Sequence, residues 1–289
     1  MTKPFNITLI IPDGYPHSFA LSEVGEYLAH FIAKCGFATE LTTNFLSQDH
    51  HNVVLCGHML TEQSFETMPA DTILFNSEQL QDVEGWQFTN RVYRRALDKF
   101  YVWDYSQENL REIGHQRKAQ IPLLFCEALV RSAPKREPGD TLVFYGAWNP
   151  RRAKIMQELA DAGVKTAFLT GVYGEERDKI LFNSWAMLNL HKVDELKVFE
   201  PVRCFYPLIN DVPVISEEFI IEPRLRAFSD SIFSFDTEGF VKSVQRLYQD
   251  RGRFRTQVKR HLAKFRATDG LSEVRQAVAA YLEAVNAMA

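Results

Sequence analysis

The densest group of chemistry-bearing residues is Phe144-Tyr145-Gly146-Ala147-Trp148-Asn149-Pro150-Arg151-Arg152. An apolar run meets a glycine, and Asn149 then caps a helix that starts on Pro150. Two arginines fall in the first turn of that helix, where a cation opposes the macrodipole. Free backbone N–H groups and guanidinium forks together suit an anion such as a diphosphate. A solvated arginine pair is the simpler reading of the same residues. Phe199-Glu200-Pro201-Val202-Arg203 opens a second helix. Glu200 suits the positive end of its dipole. It either pairs with Arg203 one turn on or holds ribose hydroxyls. Tyr173, in Gly171-Val172-Tyr173-Gly174, could stack on a nucleobase. His191, closing Asn189-Leu190-His191, meets a phosphate or serves as a structural hydrogen-bonder.

The first half of the chain offers groups of another kind. In Pro12-Asp13-Gly14-Tyr15-Pro16-His17-Ser18, Asp13 or His17 could act as a general base. The bland reading is a Pro-Asp-Gly turn with Ser18 as a helix cap. Asn76-Ser77-Glu78-Gln79 ends an apolar run and reads as a substrate-facing loop or a capping sequence. In Trp103-Asp104-Tyr105-Ser106-x-x-Asn109, Asp104 and Tyr105 could hydrogen-bond sugar hydroxyls. Ser106 and Asn109 could simply cap a helix there, and Trp103 either stacks on a ligand or belongs to the core.

Composition narrows the field. The 289 residues carry a net charge of −4, so no global basic field draws nucleic acid or lipid. Neither a Walker loop nor a Gly-x-Gly-x-x-Gly fingerprint is present, which argues against ATP hydrolysis and NAD binding. Cys35, Cys56, Cys126 and Cys204 form no Cys-x-x-Cys pair, which argues against structural zinc. Their apolar surroundings suit reduced thiols. No apolar run reaches 18 residues, and the N-terminal run is too short for a signal-peptide core. A cytoplasmic protein is the expectation. The segment Gln245–Arg266 is rich in Lys and Arg and is either a solvated face or a peripheral contact with an anionic membrane.

The elements that must position these residues alternate. Short apolar runs near 6–11, 38–43, 51–56, 72–75 and 100–102 read as strands, with helical periodicity over 18–34 and 88–97. Arg131–Asp140, with two prolines and a glycine, reads as a linker. Beyond it, strands are expected near 141–145, 165–169, 185–190, 213–216 and 231–235. Helices are expected at 150–162, 175–183 and 199–209. Helical segments close the chain around 237–264 and 271–287. This order implies an α/β protein of two Rossmann-like domains, with parallel sheets facing a cleft. The boundaries would fall at 1–132 and 138–270, with 271–289 a C-terminal helix packing back on the first domain. Functional groups should lie beyond the carboxyl ends of the strands.

In their order, these motifs resemble bacterial glycosyltransferase-like proteins of the GT-B fold, in the group of families 1 and 4. The matching pieces are Tyr15-Pro16-His17, Asn76-Ser77-Glu78-Gln79, Trp103–Asn109, Tyr145–Arg152, the Phe-Glu-x-x-Arg of 199–203 and Pro213-Val214-Ile215-Ser216-Glu217. The resemblance implies a nucleotide-diphospho-sugar donor, a substrate and not a cofactor, held by the C-terminal domain through Gly146, Asn149, Arg151, Arg152, Tyr173, His191, Glu200 and Arg203. A hydroxyl acceptor, carbohydrate or lipid-linked, would meet Tyr15, Asn76, Glu78, Asp104 and Tyr105 in the N-terminal domain. His17 or Asp13 would be the base. No Asp-x-Asp pair occurs, and the implied reaction needs no bound metal. Many retaining members carry a second glutamate seven residues after the first. Here that region reads Tyr206-Pro207-Leu208-Ile209, which also fits an inactive nucleotide-binding or partner-binding module.

Overall fold

The computed structural model describes residues 3–81, 90–131, 139–195 and 198–287. Most of the expected linker, and the start of the helix expected at 88–97, lie outside them. The chain divides into two compact units, Met1–Leu123 with Asp269–Ala289, and Leu124–Thr268. Among the described residues no helix is long and apolar enough to cross a membrane.

Unit 1 is built on a six-stranded parallel sheet of β1 (Phe5–Leu9), β2 (Thr39–Thr43), β3 (His51–Leu55), β4 (Ile73–Asn76), β5 (Tyr101–Asp104) and β6 (Lys118–Gln120). Their spatial order is β2-β1-β3-β4-β5-β6. Helix α1 (Ser22–Lys34) buries Val24, Tyr27, Leu28, Phe31 and Ile32, the spacing of one apolar stripe. Short helices α2 (Glu62–Thr67), α3 (Arg91–Lys99) and α4 (Gln107–Arg111) lie among the described residues of its first stretch. The terminal helix α11 (Gly270–Asn286) packs on α1 and β6. Glycine is required where α11 begins, because a Cβ on Gly270 would lie 2.5 Å from the Tyr27 hydroxyl. Farther along α11, Tyr281 sits edge-on to Tyr101 and Trp103 and donates to the Asp71 carbonyl at 2.5 Å.

Unit 2 holds a five-stranded parallel sheet of β7 (Leu142–Tyr145), β8 (Thr166–Leu169), β9 (Ala186–Asn189), β10 (Val214–Glu217) and β11 (Phe233–Phe235). Their order is β11-β10-β9-β7-β8. Its helices are α5 (Pro150–Asp161), α6 (Gly174–Leu181), α7 (Pro201–Ile209), α8 (Arg226–Ser229), α9 (Phe240–Gln249) and α10 (Arg251–Arg266). Leu142, Phe144, Leu159, Trp185, Leu188, Ile215 and Phe254 share its core. The helical stretch expected over 237–264 divides at Asp250, whose side chain accepts from Arg253 N and so caps α10.

The expected fold class is observed: two parallel, doubly wound sheets with helices. In each, the strand order reverses at the first strand. The neighbours of β1 are β2 and β3, and those of β7 are β8 and β9. At such a reversal the loops leaving adjacent strands part to opposite faces and open a crevice at the carboxyl ends.

Candidate functional site

In unit 2 the crevice between β7 and β9 gathers most of the residues that the sequence assigns to a donor. Gly146 leaves β7 with φ of +153°, and a Cβ there would lie 3.2 Å from the Phe144 ring and 3.4 Å from Arg203 Nη2. Both facts demand glycine. Asn149 accepts from Arg152 N at 3.2 Å, the expected cap. Trp148, 63% exposed, stands on this loop.

The arginines are paired. Arg151 forks onto Glu217 at 2.6 and 2.9 Å and donates from Nε to Asp194 at 2.6 Å. Hydrogen bonding to Glu217 raises its pKa. Arg152 is buried and donates to the carbonyls of Leu190, His191 and Ala147. Burial, aided by Arg203, lowers its pKa to about 10. Arg203 reaches Asn189 Oδ1 at 2.8 Å, the Tyr145 carbonyl at 3.2 Å and the carboxylate of Glu200. Its guanidinium and that of Arg152 both lie about 5 Å from the Phe144 ring centroid. Burial would raise the pKa of Glu200, but Arg203, Arg152 and His191 outweigh it and hold the carboxyl below its ordinary value.

The first-turn arginines therefore balance local carboxylates. Three guanidiniums, Arg151, Arg152 and Arg203, face Glu200, Glu217 and Asp194, the last exposed. His191 belongs to the same frame. Its N–H donates to Glu217 at 2.9 Å, and its Nε2 donates to the Glu218 carbonyl at 2.7 Å, which fixes the tautomer. Tyr173 is half-buried in the loop before α6. Sequence reasoning missed Glu217, Asp194 and Asn189 as members of the cluster. The only signal was a glutamate closing an apolar strand.

In unit 1 the corresponding crevice lies between β1 and β3. Asp13 and His17 are exposed on the β1 loop, with Tyr15 half-buried beside them. The Tyr15 and His17 rings lie 5.0 Å apart, edge to face. Burial, then the charge of Glu78, raises the Tyr15 pKa. The end of β3 turns through Cys56, whose φ of +58° is left-handed without being glycine. Burial pushes its thiol up to about 12, so it stays protonated. Two residues on, His58 places Nδ1 3.2 Å from the Glu78 carboxylate. Burial lowers the His58 pKa against the opposing pull of Glu78. His58 follows no motif, and no spacing in the chain points to it.

Asn76, Asp104 and Tyr105 do not line a surface. All three are fully buried. Asn76 donates to Asp104 at 2.5 Å and to the Glu78 carbonyl at 2.8 Å, and it accepts from the Tyr93 hydroxyl. Asp104 also accepts from Ser106 N and Asn109 Nδ2. Strand β5 lies between β4 and β6, with both faces covered, and this is why Asp104 supports the Glu78 loop from beneath. Trp103 is core for the same reason, under Tyr281.

The chain has the fold of the GT-B glycosyltransferases. Among solved structures it is similar to Anabaena Alr3699/HepE in complex with UDP and glucose, with a TM-score of 0.61, 10% identity, and 98% of this chain and 100% of that chain covered. WaaG, a glycosyltransferase involved in lipopolysaccharide biosynthesis, gives 0.61, 10%, 96% and 99%. T4 phage BGT in complex with UDP and Mn2+ gives 0.59, 11%, 97% and 99%. No family model matches. By sequence the chain is similar to uncharacterized proteins of Acanthamoeba polyphaga mimivirus, L137, L140 and R358 among them. L137 is 26% identical over 61% of this chain and 24% of its own length. L140 is 26% identical over 66% and 63%. R358 is 32% identical over 50% and 49%. The chain thus spans less than two thirds of the length of these curated relatives.

Proposed function

We propose that this chain moves a sugar from a nucleoside-diphospho-sugar, with UDP as the first candidate carrier, to a hydroxyl acceptor. The observation that carries the reading is the gathering of Gly146, Trp148, Arg151, Arg203 and Glu200 around the carboxyl ends of β7 and β9. Glu200, kept ionised by its arginines, would accept from ribose hydroxyls. Trp148 or Tyr173 would stack on the base. Arg151 is the guanidinium a diphosphate would reach, by displacing the exposed Asp194 carboxylate. Arg203 and Arg152 would add fixed positive charge as the leaving diphosphate takes the bonding electron pair, so that no bound metal is required.

Unit 1 would hold the acceptor. The acceptor hydroxyl must lose its proton as its oxygen bonds the sugar carbon. Asp13 and His17 are candidate bases, but both stand in water. His58 is better placed, because burial favours its neutral, proton-accepting form and Glu78 stabilises the imidazolium that results. Calorimetric titration with UDP, GDP, ADP and CMP, free and as sugar conjugates, tests the reading. It expects one of them to bind, and silence from all at millimolar ligand sinks it. The completeness of the Arg151–Glu217–Asp194 pairing favours a second reading, a non-catalytic module that keeps the shell. Donor binding without any turnover would select it.

A further inference from the structure

We propose that α10 and the loop that precedes α8 form a docking surface for a bilayer containing anionic phospholipid. Helix α10 carries seven Lys and Arg in 16 residues and no Asp or Glu. Outside it the chain has 26 Lys and Arg against 37 Asp and Glu, a formal charge of −11. One helix thus concentrates positive charge on an otherwise acidic protein. Phe254, Leu262 and Phe265 bury one stripe of α10, and Arg253, Arg255, Lys259, Arg260 and Lys264 are exposed.

Charge alone would suit any polyanion. The neighbouring loop supplies the distinction. Ile220 and Ile221 are 46% and 60% exposed. A run of rings ties this loop to α10: Phe219 packs on Phe199 at 4.4 Å, Phe199 on Phe228 at 4.8 Å, and Phe228 on Phe265 of α10 at 5.1 Å. Arg224 and Arg226, both exposed, follow the isoleucines, and α8 packs on α10. Exposed aliphatic side chains gain nothing from a phosphodiester backbone. They gain by entering the headgroup and acyl boundary, where basic neighbours stay with lipid phosphates. No exposed aromatic stands on α10 for bases to stack on.

The test is co-sedimentation of the full chain with vesicles of phosphatidylcholine alone and of phosphatidylcholine with phosphatidylserine. Binding is expected only with phosphatidylserine present, weakened at least about tenfold from low to high salt. Charge reversal of Arg255, Lys259 and Arg260 to Glu should weaken it by about two orders of magnitude or more, since each basic residue contributes roughly fivefold. Ile220→Ser with Ile221→Ser should also weaken it at constant salt. Circular dichroism of each variant must match the parent. Equal binding to neutral vesicles overturns the proposal. So does indifference to both sets of substitutions, or tighter binding to duplex DNA that ignores the isoleucines.

Discussion

The pairing of Arg151 with Glu217 makes a quantitative expectation. Glu217 is fully buried, and its carboxylate accepts two bonds from Arg151 and one from His191 N. Arg151→Ala removes the guanidinium and leaves the buried Glu217 carboxylate without the two hydrogen bonds that Arg151 gives it. Breaking a buried ion pair from one side costs about 3–5 kcal/mol. The reverse change is milder. In Glu217→Gln, Arg151 keeps Asp194 and partial exposure, its side chain being 16% exposed. The loss there should be about 1–3 kcal/mol. Arg151→Met with Glu217→Leu removes both charges, and should cost less than Arg151→Ala alone. Equilibrium urea unfolding, followed by tryptophan fluorescence and far-ultraviolet circular dichroism, gives each value. A coupling energy of roughly 2–3 kcal/mol is expected from the cycle closed by Arg151→Ala combined with Glu217→Gln. Additive costs, or an Arg151→Ala loss under about 1 kcal/mol, would refute the view that this pair frames the unit 2 crevice.

Three further expectations follow from other residues. Trp148→Ala should weaken UDP binding by about 1–3 kcal/mol, the usual worth of a base–aromatic stack, and leave the thermal midpoint unchanged, because the side chain is mostly in water. Transfer should rise with pH as His58 loses its proton; since Glu78 raises the His58 pKa, Glu78→Gln should move that rise to lower pH, and an unmoved profile excludes His58 as the base. Asp71 is held down to about 2 by the hydrogen bond from His51 and then by Lys3. Its depressed pKa contributes stability that is fully present above pH 4 and lost as pH falls through about 2, so Asp71→Asn should flatten the acid stability profile across that window.

Much of the architecture was legible because parallel strands are buried on both faces and read as short apolar runs between helical periods. Asn149 and Pro150 marked the start of α5 within a residue. Strand β6, Lys-Ala-Gln, has no apolar signature and is set by its pairing with β5 and by α11 packed on it. The same two-sided burial hid the fate of Trp103, Asp104 and Tyr105. Polar and aromatic residues at a strand end look ligand-facing, yet these close a buried network under the Glu78 loop. The donor-side arginines were visible, but their partners were not. Asp194 and Glu217 lie 43 and 66 residues from Arg151, and only the sheet order brings β9 and β10 beside the start of α5. His58 was hidden because a left-handed cysteine, which no spacing rule foretells, turns it toward Glu78.

The most direct test of the central claim is a crystal structure of the protein soaked with UDP. The diphosphate is expected at the Gly146–Asn149 loop beside Arg151, with Asp194 displaced and the ribose hydroxyls on Glu200. UDP seated elsewhere on the protein, or absent with the Arg151–Asp194 pair intact, would contradict it.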